Sequence, residues 1–328
     1  MRRILIDKNL HKSVVDFYTS ISDVEIIKSL DELSKNLSKL DYNYSRKKKY
    51  IKKIIDEFSL IVTAKPQDIE RLKSEFEIII PHKKITKNFH KKITTVLQYD
   101  DIRKKLIPLY KKINIKACVY CNAQLTAVVE LDKYKKTVKA KKKKKGDVKT
   151  YSGRFDLDHF HAKSEYPFLS ISFYNLFPCC SNCNKHKSSN ISLFELYTED
   201  SNQLEAFRFK IDNNSKDTYL KTNDVNDLKF EFTQVTGNVD LVNNHKKNFK
   251  IEQLYETQKD VFEELIHISE AYNEASKQNL VDTYNGLFKN TDIINRLLIG
   301  NYDRPEDVHK RPLAKFTQDI ARELKIIK

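Results

Sequence analysis

All five cysteines of the chain stand in two tight groups, Cys118 and Cys121, then Cys179, Cys180 and Cys183. Cys118-Val-Tyr-Cys121 and Cys180-Ser-Asn-Cys183 are C-x-x-C knuckles separated by 58 residues. Four thiolates so paired can close a tetrahedral shell around Zn²⁺. One knuckle is a weak signal and two are a strong one, against the plainer reading of redox-active or merely buried cysteines. Cys179 lies one residue outside the second knuckle and is expected to be a small buried residue. Between and beside the knuckles come Asp158-His159 and Asn184. A carboxylate oxygen, an amide carbonyl oxygen and waters suit Mg²⁺ or Mn²⁺ rather than zinc. A neutral imidazole such as His159 can take a proton near pH 7. Together these types suit hydrolysis of a phosphodiester, which needs a base for water, a cation against the phosphate charge and help for the departing oxygen.

Those residues must be brought together by local structure. Asp158 and His159 fall at the end of a β-prone stretch, where alternation sends neighbouring side chains to opposite faces unless the ending strand bends. Asn184 falls near the start of a helix following Cys183, so a strand carboxylate and a helix amide can converge on one hard cation. Lys187 lies on the same helical face as Asn184, within reach of a phosphate. Thr126–Leu131 and Val148–Phe160 read as a hairpin flanking a tip of low complexity. Residues 133 to 149 hold ten lysines and one aspartate, a net +9 of the chain's +15. Such a block is ordinarily a solvated loop; beside a nucleic-acid site, Lys141, Lys142, Lys143, Lys144 and Lys145 would act as an electrostatic arm.

Upstream, apolar residues recur at helical spacing (Leu30, Leu33, Leu37, Leu40; Ile69, Leu72, Phe76, Ile79), with Pro66 at a helix first turn, Pro81 as a stop and another amphipathic helix over Tyr99–Ile113. Downstream, short β-prone pieces (206 to 211, 228 to 237) give way to helices, with one stripe over Val261, Leu265, Ile268, Tyr272 and Ala275 and another over Leu313, Phe316, Ile320 and Leu324. The expected class is α+β, with mainly helical N- and C-terminal regions around a zinc-stabilised core. The expected division is 1–114 helical, 115–195 the core with knuckles and lysine-rich hairpin, and 196–328 mixed then helical. No Gly-, Ser- or Pro-rich linker separates them, so they are expected to pack into one body.

Composition narrows the function classes. The 328 residues carry 60 Lys and Arg against 45 Asp and Glu, and 40% are apolar. The net +15 favours a polyanionic partner. Five glycines, no two closer than seven positions, exclude both G-x-G-x-x-G and the phosphate-binding loop G-x-x-x-x-G-K. No apolar run approaches the ~18 residues of a membrane span, and the first residues show no secretory pattern, so a cytoplasmic location with no membrane partner is expected.

The segment 154–189 resembles the HNH endonuclease family, the ββα-metal fold in its version with a four-cysteine zinc site. The likeness is carried by Cys118-x-Tyr-Cys121-Asn, by Asp158-His159-Phe160 with Lys163 and Tyr166-Pro167, and by Asn175-Leu176-x-Pro178-x-Cys180-x-x-Cys183-Asn184-x-x-Lys187. The resemblance implies that Asp158 and Asn184 hold a catalytic Mg²⁺ or Mn²⁺, that His159 is the base, that Asn175 orients His159 by hydrogen bonding near it, and that Cys118, Cys121, Cys180 and Cys183 hold structural Zn²⁺. Lys163 and Lys187 are then expected on nucleic acid. The third motif position is usually His and here is Asn. His186 is its rival, though its helical phase points it elsewhere. His161 reads as an exposed bystander, and His11, His82, His90, His245, His267 and His309 as structural.

The chain further resembles the HNH subunits of Septu-type anti-phage systems, which implies a defence nuclease acting with a separate ATPase subunit, DNA being the favoured substrate. The competing reading is a non-catalytic, zinc-stabilised nucleic-acid-binding subunit of an ATPase complex. A pure binder has no use for Asp158-His159 and Asn184 at these spacings.

Overall fold

The structure, a computed structural model, describes residues 1–21, 23–40, 43–135, 144–188, 190–288 and 291–328. After a short strand β1 (Ile4–Leu5), the first part is helical: α1 (Lys8–Ser20), α2 (Asp23–Lys35), α3 (Tyr44–Asp56), α4 (Phe58–Thr63), α5 (Pro66–Ile79), α6 (Lys87–Val96) and α7 (Tyr99–Ile113). Pro66 takes the first turn of α5, where its missing N–H costs nothing. Thr86 caps α6 by accepting from Phe89 N. Helix α2 ends at Lys35, so Leu40, expected on its apolar stripe, is 97% exposed.

The centre of the chain holds the hairpin β2 (Val128–Lys135) and β3 (Lys144–Gly153), then β4 (Asp156–His159), β5 (Leu176–Cys179) and helix α8 (Ser181–Lys187). The single strand expected over Val148–Phe160 is two. Arg154 N still bonds Ala127 O at 2.8 Å, after which the chain leaves β2 and pairs antiparallel with β5. The register sets Asp158 opposite Phe177 and His159 opposite Leu176. Of the expected lysine arm, Lys141, Lys142 and Lys143 lie outside the described residues, and Lys144 and Lys145 are placed by their backbone alone, in β3 opposite Lys135 and Tyr134.

The last part comprises β6 (Tyr197–Thr198), β7 (Phe207–Ile211), α9 (Ser215–Thr222), β8 (Phe230–Gln234), α10 (Val239–Phe249), α11 (Ile251–Glu256), α12 (Lys259–Ala271), α13 (Glu274–Thr283), α14 (Thr291–Leu298) and α15 (Ala314–Glu323). The expected stripe through Tyr272 and Ala275 breaks because α12 ends at Ala271, where Asn273 caps a new helix by accepting from Ser276 N. Strand β6 pairs parallel with β1, tying the start of the chain to the start of its last part. The architecture is α+β, and one apolar cluster runs from Met1 through Tyr110, Phe177 and Phe209 to Ile327.

Candidate metal centre and active site

The Sγ atoms of Cys118, Cys121, Cys180 and Cys183 lie within 4.8 Å of one another, and all four residues are buried. A tetrahedral shell with Zn–S of about 2.3 Å puts its sulfurs about 3.8 Å apart, so the donor set fits zinc. Backbone amides point at the sulfurs: Cys180 N donates to Cys118 Sγ at 3.3 Å, and Cys183 N to Cys180 Sγ at 3.4 Å. Burial pushes the Cys118 thiol well up, while hydrogen bonds from neighbouring thiols hold Cys121 and Cys180 down. Four sulfurs so close in a buried space can all carry charge only with a cation among them, and the all-sulfur donor set suits zinc. Cys179 is buried outside the group, as its spacing suggested.

The first knuckle is gripped from the C-terminal region. Tyr255 Oη donates to Cys121 O at 2.8 Å, and His245 Nε2 bonds Tyr120 O at 2.8 Å. Asn122, in the left-handed region with φ 54°, accepts from Lys315 N on Oδ1 and donates to Val308 O from Nδ2, each at 2.8 Å. Leu313 N bonds Asn122 O at 2.7 Å.

Beside the knuckles β4 pairs with β5, where Val119 N bonds Pro178 O at 3.4 Å, and a cleft of about 420 Å³ opens along β4. Asp156, Asp158, His159, Lys163 and Asn184 line it from the central part, and His90, Tyr99, Asp100 and Arg103 line it from α6 and α7. His159 is 8% exposed and its Nε2 donates to Ser170 O at 3.0 Å. That bond fixes the proton on Nε2 and leaves the lone pair on Nδ1, which has no hydrogen-bond partner among the described residues. Burial pulls the His159 pKa down to about 3, so the ring is neutral at pH 7. Tyr99 packs on it with ring centroids 4.9 Å apart.

Asp158 is 6% exposed. Tyr120 Oη donates to its Oδ2 at 2.6 Å, and Lys187 Nζ lies 3.0 Å from the same oxygen. Lys187 Nζ also donates to His159 O at 2.9 Å, and the residue is 2% exposed. It therefore faces inward onto Asp158, not outward to a phosphate. The helical spacing placed it correctly, and the desolvated carboxylate beneath supplies a stronger partner than solvent. Burial raises the Asp158 pKa, and Lys187 opposes that rise.

Asn184 Nδ2 donates to Asp156 Oδ2 at 3.1 Å. Asp156 lies two residues before Asp158 on β4, and strand period two gives the pair one face. Sequence reasoning passed over it, although that alternation was the available signal. Asn175 does not bond the His159 ring. It is fully buried, accepts from His161 N at 2.8 Å and donates to His161 O and Leu169 O at 3.2 and 3.1 Å. It staples the segment after β4 to the turn that carries Ser170, and Ser170 O in turn holds His159.

Lys163 borders the cleft with Nζ 4.4 Å from the Tyr99 ring centroid. His186 is exposed on α8 and does not line the cleft. His161 is not an exposed bystander: its side chain is 14% exposed, with Nε2 3.2 Å from Glu70 Oε1. His90, read as structural, belongs to the cleft, and its Nε2 is buried without a partner among the described residues. Among the described residues no other group of three or more His, Cys, Asp and Glu comes together as the four cysteines do. No helix among them is long and apolar enough to cross a membrane. Comparison of the chain with protein-family models, with curated proteins and with solved structures finds no match in any of the three.

Proposed function

We propose that the chain is a metal-dependent endonuclease of the HNH type that hydrolyses phosphodiester bonds of nucleic acid, DNA being favoured. The observation that carries this reading is the convergence of a tautomer-fixed His159, Asp158 and Asn184 on one cleft, on a β4–β5–α8 unit anchored by four thiols. In this reading His159 Nδ1 takes the proton of the attacking water, because Nε2–H is committed to Ser170 O. Ser170, held through Asn175, keeps the ring in place. Asp158 and Asn184, with oxygen donors suited to a hard cation, would hold Mg²⁺ or Mn²⁺ with Asp156 alongside. Such a cation supplies charge neutralisation at the phosphate and at the departing 3′ oxygen. Lys187 and Tyr120 hold the Asp158 carboxylate in place, and Lys163 offers a cation at the rim.

The second reading, a zinc-stabilised nucleic-acid-binding subunit without cleavage, is favoured by one observation: Asp158 is already engaged by both Lys187 and Tyr120. An anti-phage role and a separate ATPase subunit rest on the sequence resemblance alone. The deciding experiment incubates purified protein with plasmid, oligonucleotide and tRNA under Mg²⁺, Mn²⁺ or EDTA, beside His159→Ala. Cleavage is expected with metal only, reduced at least ~100-fold in His159→Ala at unchanged zinc content and fold. A variant that cleaves like the wild type overturns the reading, and binding without cleavage under either metal transfers it to the second.

A further inference from the structure

The segment from His82 to Leu97 carries five lysines and no acidic residue. Lys83, Lys84, Lys87, Lys91 and Lys92 are all exposed, and none forms an ion pair among the described residues. Of the nearby acids, Glu77 holds the His82 backbone and ring at 2.9 and 3.0 Å and Asp101 pairs with Lys104 at 3.2 Å, while exposed Asp100 lines the cleft beside Lys163.

Helix α6 ties this charge to the cleft. Phe89 and Ile93 are its buried positions. At about 100° per residue, His90 falls on one flank of that buried face. Lys87 lies about 60° further out on the same side, and Lys91 lies opposite the buried face, about 100° round from His90. Lys92 falls on the opposite flank, about 160° round from His90. His90 itself reaches the cleft, where its Nε2 is buried and unpartnered among the described residues. Exposed Arg103 on α7 and half-buried Lys163 stand on the same rim. Cations therefore run from the cleft, where the reacting phosphate would sit, out along one side of α6.

We propose that this side of α6 is a binding strip for the phosphodiester backbone of nucleic acid, with Lys87 and Lys91 holding phosphates flanking the one at His159 and His90 lying where the strip enters the cleft. The proposal rests on the reading of that cleft as a phosphodiester site. It places substrate contact on the N-terminal helical part of the chain, outside both the ββα unit and the lysine-rich hairpin.

The test measures binding of a labelled DNA duplex in EDTA at several salt concentrations, for the wild type and for Lys87→Ser, Lys91→Ser and Lys92→Ser. All three positions are exposed, so the fold is retained. Each of Lys87→Ser and Lys91→Ser is expected to flatten the slope of log K against log salt by about 0.9, whereas Lys92→Ser, with the same charge change, leaves it nearly unaltered. Unchanged slopes in the first two variants overturn the strip, as does an equal flattening in all three or an absence of binding by the wild type. Cleavage with Mg²⁺ is read separately. Strip-dependent binding without cleavage removes the nuclease reading and keeps the strip, while cleavage with unchanged slopes does the reverse.

Discussion

Asp158 and Lys187 are two opposite charges held almost out of water, with 7% and 3% of their side chains exposed. A pair of this kind is strongly asymmetric to mutation, because removing one partner strands the other in a poorly solvated place. Lys187→Met is expected to lose about 3–5 kcal/mol of stability, and Lys187→Met with Asp158→Asn to recover most of it. Urea unfolding of the two variants measures this, and a single variant as stable as the wild type would mean the pair is not what holds this corner together. At this scale the types of the site residues were legible: Asp158, His159 and Asn184 do line one cleft. What escaped was direction. A lysine stem is long enough to turn inward or outward at one helical position, and Asn175 makes all its side-chain bonds to backbone atoms that no spacing reveals.

The second knuckle is also where α8 begins, since Cys180 is its N-cap and accepts from Cys183 N. A metal held by Cys180 and Cys183 therefore orients Asn184, the next residue along the helix. Elemental analysis should find about one zinc per chain. Cys118→Ser and Cys183→Ser should lose it and become protease-sensitive, whereas Cys179→Ser should keep it. A folded, zinc-free Cys118→Ser chain would remove the structural role assigned to the metal. Tyr99–Ile113 emerges as the helix its periodicity predicted, because a stripe of Ile102, Leu106 and Leu109 leaves little choice. The strand over Val148–Phe160 divides because its two halves find different partners, β2 and then β5, and alternation within one strand cannot say where a neighbour changes. The same limit hid His90. It comes from a helix far upstream in sequence, with no local pattern to connect it to Asp158 and His159.

Burial across the whole molecule makes it sensitive to acid. His245 and His309 sit in the core, their pKa values pulled by desolvation to about 3 and about 4. Both are neutral when folded, whereas in the unfolded chain they take up protons near the ordinary value of about 6.5. The unfolded state thus binds more protons between about pH 6.5 and 4, and stability falls as pH drops through that window. With His159 held down likewise, three such groups give a slope of about 4 kcal/mol per pH unit, and His245→Gln should remove about a third of it. Urea midpoints from pH 7.5 to 5 read this directly, and a variant with the wild-type slope would exonerate His245. The single body expected from the absence of linkers is visible in one apolar cluster, though how the last part would grip the first knuckle lay beyond any local reading. That grip has a temporal consequence. Asn122 meets Val308, Leu313 and Lys315 across 186 to 193 positions of chain. A ribosome will have made the His159 strand and both knuckles long before it delivers α15, so a growing or prematurely released polypeptide carries the centre with its clamp missing. For the nuclease proposed above, this order of synthesis leaves the cutting centre unfinished while the chain is still attached to the RNA that encodes it.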